Sequence, residues 1–226
     1  MKGRMLLLYG LMMFGLLSAQ EARSIKLNPP DLTRGLPFMQ TLAVKASATE
    51  WSDKEISLQD LSDLLWAANG LNRPAENKTT ASSAMNAHDV DIFVFMKDGV
   101  YVYDFQNHEL DWVRDGDFRG QIYRPRPRPI TNAAEPAEPT PQVTDAPIQL
   151  LLISDTDRFR AGSKEARYEW AALDAGIISQ NISLFCAATG LKTRPRALVD
   201  KDRVREILNL KESQYVFLNH PIGYAK

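Results

Sequence analysis

The stretch from Ser163 to Leu191, SKEARYEWAALDAGIISQNISLFCAATGL, constrains the fold more than any other part of the chain. No proline interrupts it. Ser163 is suited to cap the first turn, Glu165 lies at the positive end of the helix dipole, and Gly190 supplies the left-handed residue on which helices end. At 1.5 Å per residue such a helix is a rod of roughly 40 Å, the width of a whole domain. Leu173, Ile177, Ile178, Ile182, Leu184 and Phe185 point in nearly every direction, which predicts a helix buried on all sides. Ala171, Ala172, Ala175, Gly176, Ala187 and Ala188 let neighbouring helices approach closely. Asp174, Gln180 and Asn181 are polar exceptions, and in a core they need partners. Periodicity alone supports a central core helix and nothing more.

The rest of the chain supplies a sheet for this helix to pack on. Ile92–Phe95 and Val100–Tyr103, joined across Asp98-Gly99, have the composition of a β-hairpin. Gln149–Ser154 reads as a buried strand and Tyr215–Leu218 as a last one. Ser57 caps an amphipathic helix carrying Leu58, Leu61, Leu64, Leu65 and Trp66 and ending at Gly70, and Asp200 caps another through Leu208. Pro37–Lys45 is a candidate short helix, Gln20–Phe38 an extended arm, and Asn72–Ala87 a polar loop. Helices and strands alternate irregularly, which is an α+β layout. With 226 residues, 44% of them hydrophobic, there is material for one substantial core. The 27 basic and 28 acidic residues nearly cancel, which excludes nucleic acid or an anionic membrane surface as the main partner. A single cysteine, Cys186, forms no internal disulfide, and its place in the long helix marks it as a small hydrophobe.

Two segments stand outside this core. Lys2 and Arg4 precede the apolar run Met5–Leu17, followed by Ser18 and Ala19, the pattern of a secretory signal peptide over residues 1–19. The run is shorter than the ~20 residues of a comfortable bilayer span, so no stable membrane span is expected, and the mature chain from 20 to 226 is expected outside the cytoplasm, in the periplasm. Residues 124–147 then hold just over half of the 13 prolines and cannot build a core. This proline-rich insertion reads as an extended surface excursion, with docking to a protein partner as the alternative.

Direct signatures of chemistry are absent: no Walker loop, GxGxxG, GxSxG or HExxH occurs, and His88, His108 and His220 lack metal-ligand spacing. Asp155 and Asp157 read as a loop cap rather than a metal site.

Several short patterns nevertheless stand in a telling order. Lys45-Ala46-Ser47-Ala48-Thr49 precedes Glu50-Trp51; the helix LQDLSDLLWAANGLNR follows; then Ser82-Ser83-Ala84-Met85-Asn86, then GVYVYD. The long helix reads Leu-Asp-Ala-Gly … Gln-Asn-x-x-Leu … Gly-Leu, and the chain closes with Gly223-Tyr224-Ala225-Lys226. Together these resemble the FMN-dependent nitroreductase family, and most of all its subgroup of dehydrogenases that oxidise azoline rings in modified peptides. The resemblance implies a nitroreductase-like fold: a mixed, mostly antiparallel sheet flanked by helices around a long buried central helix. It implies a homodimer holding FMN at the subunit interface, and ping-pong transfer of hydride or electrons through the flavin to a small-molecule acceptor. Lys45 and Ser47 match the residues that hold the phosphate and ribityl chain, with Ala46 between them. Thr49 stands where relatives carry a second basic residue near the isoalloxazine ring. Ser82, Ser83 and Asn86 match a Pro-Ser-x-x-Asn loop that reaches the flavin, with Ser82 in place of the proline. Pro195, Ala197 and Leu198 belong to the backbone segment that lies against the reactive nitrogen, and Lys226 is a candidate second phosphate contact. The departures at Thr49 and Ser82 keep a second expectation open, a flavin-free scaffold of the same fold that serves as a binding module.

Overall fold

The computed structural model describes residues 23–123 and 146–226; the signal-peptide reading over 1–19 and nearly all of the insertion at 124–147 lie outside the described residues. Strand β1 (Ser24–Lys26) is followed by α1 (Phe38–Val44), α2 (Leu58–Asn69), β2 (Leu71–Arg73), β3 (Lys78–Thr79), β4 (Val90–Phe95), β5 (Gly99–Asp104) and β6 (Glu109–Asp115). Beyond the insertion come β7 (Ile148–Asp155), α3 (Lys164–Thr189), β8 (Lys192–Thr193), α4 (Lys201–Leu208) and β9 (Gln214–Gly223). Seven strands form one sheet in the order β1-β6-β5-β4-β7-β9-β8, and every pairing in it is antiparallel. β2 and β3 form a small separate ribbon inside the segment read as a loop.

Period-2 alternation in the two central strands explains the layers. Ile92 and Val94 of β4 and Leu150 and Leu152 of β7 face a core shared with Leu61, Leu64, Leu65, Ile178, Ile182 and Cys186 from α2 and α3. Their neighbours Phe93, Phe95, Leu151 and Ile153 face a second core with Val204 and Ile207 of α4 and Val216 of β9. Both faces are covered, so these strands read as unbroken apolar runs. β6 escapes such a reading because its sequence, ELDWVRD, is charged and only Leu110 is fully buried. β9 runs well past Leu218 and tolerates Pro221 opposite Gln149.

α3 is capped as its sequence implies: Ser163 Oγ accepts from Ala166 N–H, and Gly190 takes φ 83°. Its length and composition would suffice to cross a bilayer, yet it packs on α1, α2 and the sheet. The buried side chains Ala171, Asp174, Ala175, Ile178, Ser179, Ile182, Ser183 and Cys186 recur every three or four residues, so they form one face. Burial on all sides is not met in the single chain. Leu173 is 66% exposed and Ile177 38%, and a Cβ built on Gly176 between them meets nothing within 4 Å. Asp155 and Asp157 form a loop cap, with Asp157 N–H donating to Asp155 Oδ1 at 3.2 Å.

Candidate functional site

The opening motif begins where α1 stops. Lys45 N–H donates to Thr41 O at 3.0 Å, and the backbone then turns extended. Ala48 N–H donates to Thr193 O at 2.9 Å, which lays the motif along β8. Lys45, Ala46, Ser47 and Thr49 all face solvent, and among the described residues no carboxylate pairs with Lys45. Trp51 turns inward instead: it is buried, its indole N–H donates to Lys192 O at 2.9 Å, and it packs beneath Gly223. A Cβ on Gly223 would sit 2.8 Å from the Trp51 ring and 3.0 Å from Pro147. Gly223→Val should therefore destabilise the fold by about 1–3 kcal/mol through overpacking, with altered Trp fluorescence in the same denaturant titration.

The C-terminal tail is clasped beside this motif. Tyr224 O accepts from Ser52 N–H at 3.0 Å, its hydroxyl donates to the Asp60 carboxylate, and Lys54 Nζ lies 4.4 Å from its ring centre. Lys226 then reaches Glu50 at 3.9 Å. From the other side, Arg196 exchanges two backbone hydrogen bonds with Asn219, at 2.8 and 2.9 Å, which leaves Pro195, Ala197 and Leu198 facing outward. Beneath them His220 is fully buried between Ser179 (2.8 Å) and Thr193 (3.1 Å), and burial pushes it down to about 3, so it is neutral. His220 thus ties β9 to α3 and to the short strand on which the opening motif rests. Its contact with Ser179 resembles a nucleophile pair only on paper, because neither group meets solvent.

Ser82, Ser83 and Asn86 lie elsewhere. Ser83 Oγ accepts from His88 N–H at 3.0 Å, Asn86 Nδ2 donates to Asn77 O at 3.2 Å, and Ala84 N–H donates to Asp174 Oδ2 at 2.8 Å. Met85, Asn86 and His88 hold φ of 55°, 53° and 47°, a left-handed run that strains side-chain-bearing residues. The polar residue that the long helix had to satisfy therefore anchors this loop. Behind it lies Asp89, fully buried, with Ser154 Oγ donating to its Oδ2 at 2.5 Å and the Asp174 carboxylate as its charged neighbour. Burial, with the neighbouring Asp174 carboxylate adding to it and Ser154 opposing, pushes Asp89 up to about 7.

The expected site residues thus form two groups. Lys45, Ala46, Ser47, Thr49, Pro195, Ala197, Leu198 and Lys226 gather near the C-terminal end of α3. Ser82, Ser83 and Asn86 sit against Asp174, roughly 25 Å back along that helix by its rise per residue. Two clefts, of about 850 Å³ beside Ile56, Met96 and Arg119 and about 350 Å³ beside Lys164, Arg167 and Tyr215, are lined by other residues. Arg196, His220 and Asp89 carry no sequence signal of their own; only the polar interruption at Asp174 hinted at this network.

The fold has clear counterparts. A solved structure of a candidate nitroreductase from Ralstonia eutropha is 30% identical, with 90% of each chain covered and a TM-score of 0.75. Two others share the fold. The E. coli microcin synthetase McbBCD complex, with truncated pro-MccB17 bound, is 16% identical over 80% of this chain and 69% of its own, with a TM-score of 0.65. The NADPH:FMN oxidoreductase from Vibrio harveyi, complexed with NAD+, is 17% identical over 84% of this chain and 69% of its own, with a TM-score of 0.56. The family model described as "Nitroreductase family" matches residues 47–224, and the chain belongs to that family.

Proposed function

We propose that this protein is an exported FMN-dependent oxidoreductase that works as a homodimer. One observation carries the reading. The middle of α3 carries an apolar, uncovered stripe, which lies beside the loop Ser82–Asn86 and roughly 20 Å by helical rise from the matched residues at the C-terminal end. Leu173 (66% exposed), Gly176 and Ile177 (38%) lie at the middle of α3, and α1, which starts near Ala188, carries further exposed apolar side chains in Phe38 and Met39. Such a patch on a folded domain marks an interaction surface. A two-fold contact centred on Gly176 sets the N-terminal half of one α3 against the C-terminal half of the other. The loop Ser82–Asn86, held by Asp174, then lies close to the two-fold axis and so beside the partner copy, and the bare backbone at Gly176 lets the helices approach closely.

The residues present suit FMN. Lys45 offers a cation with no carboxylate partner among the described residues and Ser47 an exposed hydroxyl, a pair fit for a phosphate-bearing tail. Loaded with FMN, the protein would have a carrier that takes up hydride from one substrate and passes electrons to another. The chain's own part is to hold the phosphate, exclude water by dimer closure, and position the ring against the 195–198 backbone. The microcin synthetase neighbour and the order of motifs along the long helix support the azoline-dehydrogenase side of the family, with a small-molecule acceptor. The N-terminal pattern supports export to the periplasm.

An absorption spectrum of purified protein incubated with FMN tests this directly. A bound flavin band at one FMN per chain is the expected result, and Lys45→Glu and Ser47→Asp should weaken binding about 10- to 100-fold, the worth of one or two charge-assisted hydrogen bonds. A colourless dimer that never takes up flavin would instead support the binding-module reading favoured by Thr49 and Ser82.

A further inference from the structure

Arg196 is the most anomalous charge among the described residues. It is 9% exposed, and neither Nη1 nor Nη2 has a hydrogen-bond partner. Its guanidinium lies between two aromatic rings, 5.5 Å from the centre of Trp51 and 5.2 Å from that of Tyr123. Burial lowers its pKa, and the charged groups acting on it are Tyr123 and the like-charged Arg194, with no carboxylate among them. An arginine stays protonated in such a place, and leaving it unpaired costs several kcal/mol that two cation–π contacts only partly offset. The unused donors of a buried cation call for an anion that none of the described residues supplies.

The surroundings say which anion. Thr49 stands two residues before Trp51, the ring on which Arg196 rests. The segment carrying both is hydrogen-bonded through Ala48 N–H to Thr193, three residues before Arg196. Arg196 also sits in the middle of the 195–198 segment. We propose that Arg196 supplies the positive charge that Thr49 omits, facing the pyrimidine end of the isoalloxazine ring. This rests on the FMN reading above. Taking up two electrons and one proton leaves the reduced ring with one negative charge, spread over N1 and the C2 carbonyl. That charge is what the guanidinium meets, so Arg196 favours the reduced over the oxidised flavin.

The test uses the FMN-loaded protein at pH 8, with dithionite as reductant against a reference dye, and with sulfite. Sulfite adds to N5 and pushes negative charge onto the same N1–C2 end. Arg196→Gln should keep oxidised FMN within about threefold of the parent affinity. The preference for reduced over oxidised flavin should fall at least tenfold, about 30 mV for a two-electron couple, and sulfite should bind about tenfold more weakly. Arg196→Lys should stay near the parent, and adding Thr49→Arg to Arg196→Gln should restore both readings. Arg196→Met, which keeps an apolar stem between the rings, takes the place of Arg196→Gln if that variant does not fold. Unchanged potential and sulfite affinity in the neutral variants would overturn the inference while leaving the flavin reading intact. A parent protein that binds no FMN would overturn both, and the spectrum alone separates the two outcomes.

Discussion

Gly176→Arg should convert the protein into a folded monomer that no longer retains FMN. In the single chain the position is open, with nothing within 4 Å of a new Cβ, so the substitution meets no steric cost there. Replacing a glycine inside a helix should even raise monomer stability by about 0.5–1 kcal/mol. In the proposed dimer the same side chain, with its charge, lands at the closest approach of two copies of α3. An interface loses several kcal/mol when an unpaired charge is buried at its centre, enough to dissociate a micromolar or nanomolar dimer at working concentration. Sedimentation or light scattering would show the change of mass, and denaturant melts the retained fold. Leu173→Asp, three residues away on the same stripe, should do the same. A Gly176→Arg protein that stays dimeric and yellow would remove the two-fold geometry on which the function was built.

The second large effect concerns protons in the core. Asp89, pushed up to about 7, keeps a proton in the folded state that the unfolded chain gives up near pH 4. Its contribution to stability is therefore full at acid pH and is lost as pH rises from about 4 toward 7. His220, pushed down to about 3, does the reverse: the unfolded chain binds a proton below pH 6.5 that the folded state refuses, so stability falls as pH drops from 6.5 toward 3. Between pH 4 and 6.5 the two slopes oppose each other. Burial acts in the same opposed senses on Asp91, which it raises, and His108, which it lowers. Asp89→Asn removes one side of the balance. Its stability relative to the parent should climb with pH across this window, while that of His220→Gln should decline. Urea melts at half-unit pH steps would check both. Curves parallel to the parent in both variants would mean that neither group titrates abnormally.

The long helix, the hairpin and the order of short motifs were legible in the sequence because each has its own period or spacing. The 3.6-residue pattern gave α2, and apolar runs of β-branched and aromatic residues on either side of Asp98-Gly99 gave β4 and β5. The uncovered stripe of α3 was not legible. Leu173 and Ile177 are as apolar as Ile178 and Ile182, and sequence does not distinguish a side chain meant for its own core from one meant for another surface. Arg196, within TRPRA, resembles any solvated loop arginine until the rings of Trp51 and Tyr123 are seen to close on it. The link from His220 to Thr193 joins residues whose contact exists only once β8 and β9 pair. The separation of Ser82–Asn86 from the opening motif likewise follows from how α3 lies across the sheet.

The place of β7 between β4 and β9 has a bearing on how the chain is made. The meander β4–β5–β6 can close as soon as it emerges into the compartment where the chain folds, but one edge of it, the apolar run Ile92–Phe95, waits for a strand encoded beyond the whole proline-rich insertion. During that interval a nascent chain carries an open, hydrophobic ladder of the kind that recruits other chains. Chaperone dependence and aggregation during expression should therefore track the delay before Ile148–Asp155 emerges, so shortening the insertion should raise soluble yield.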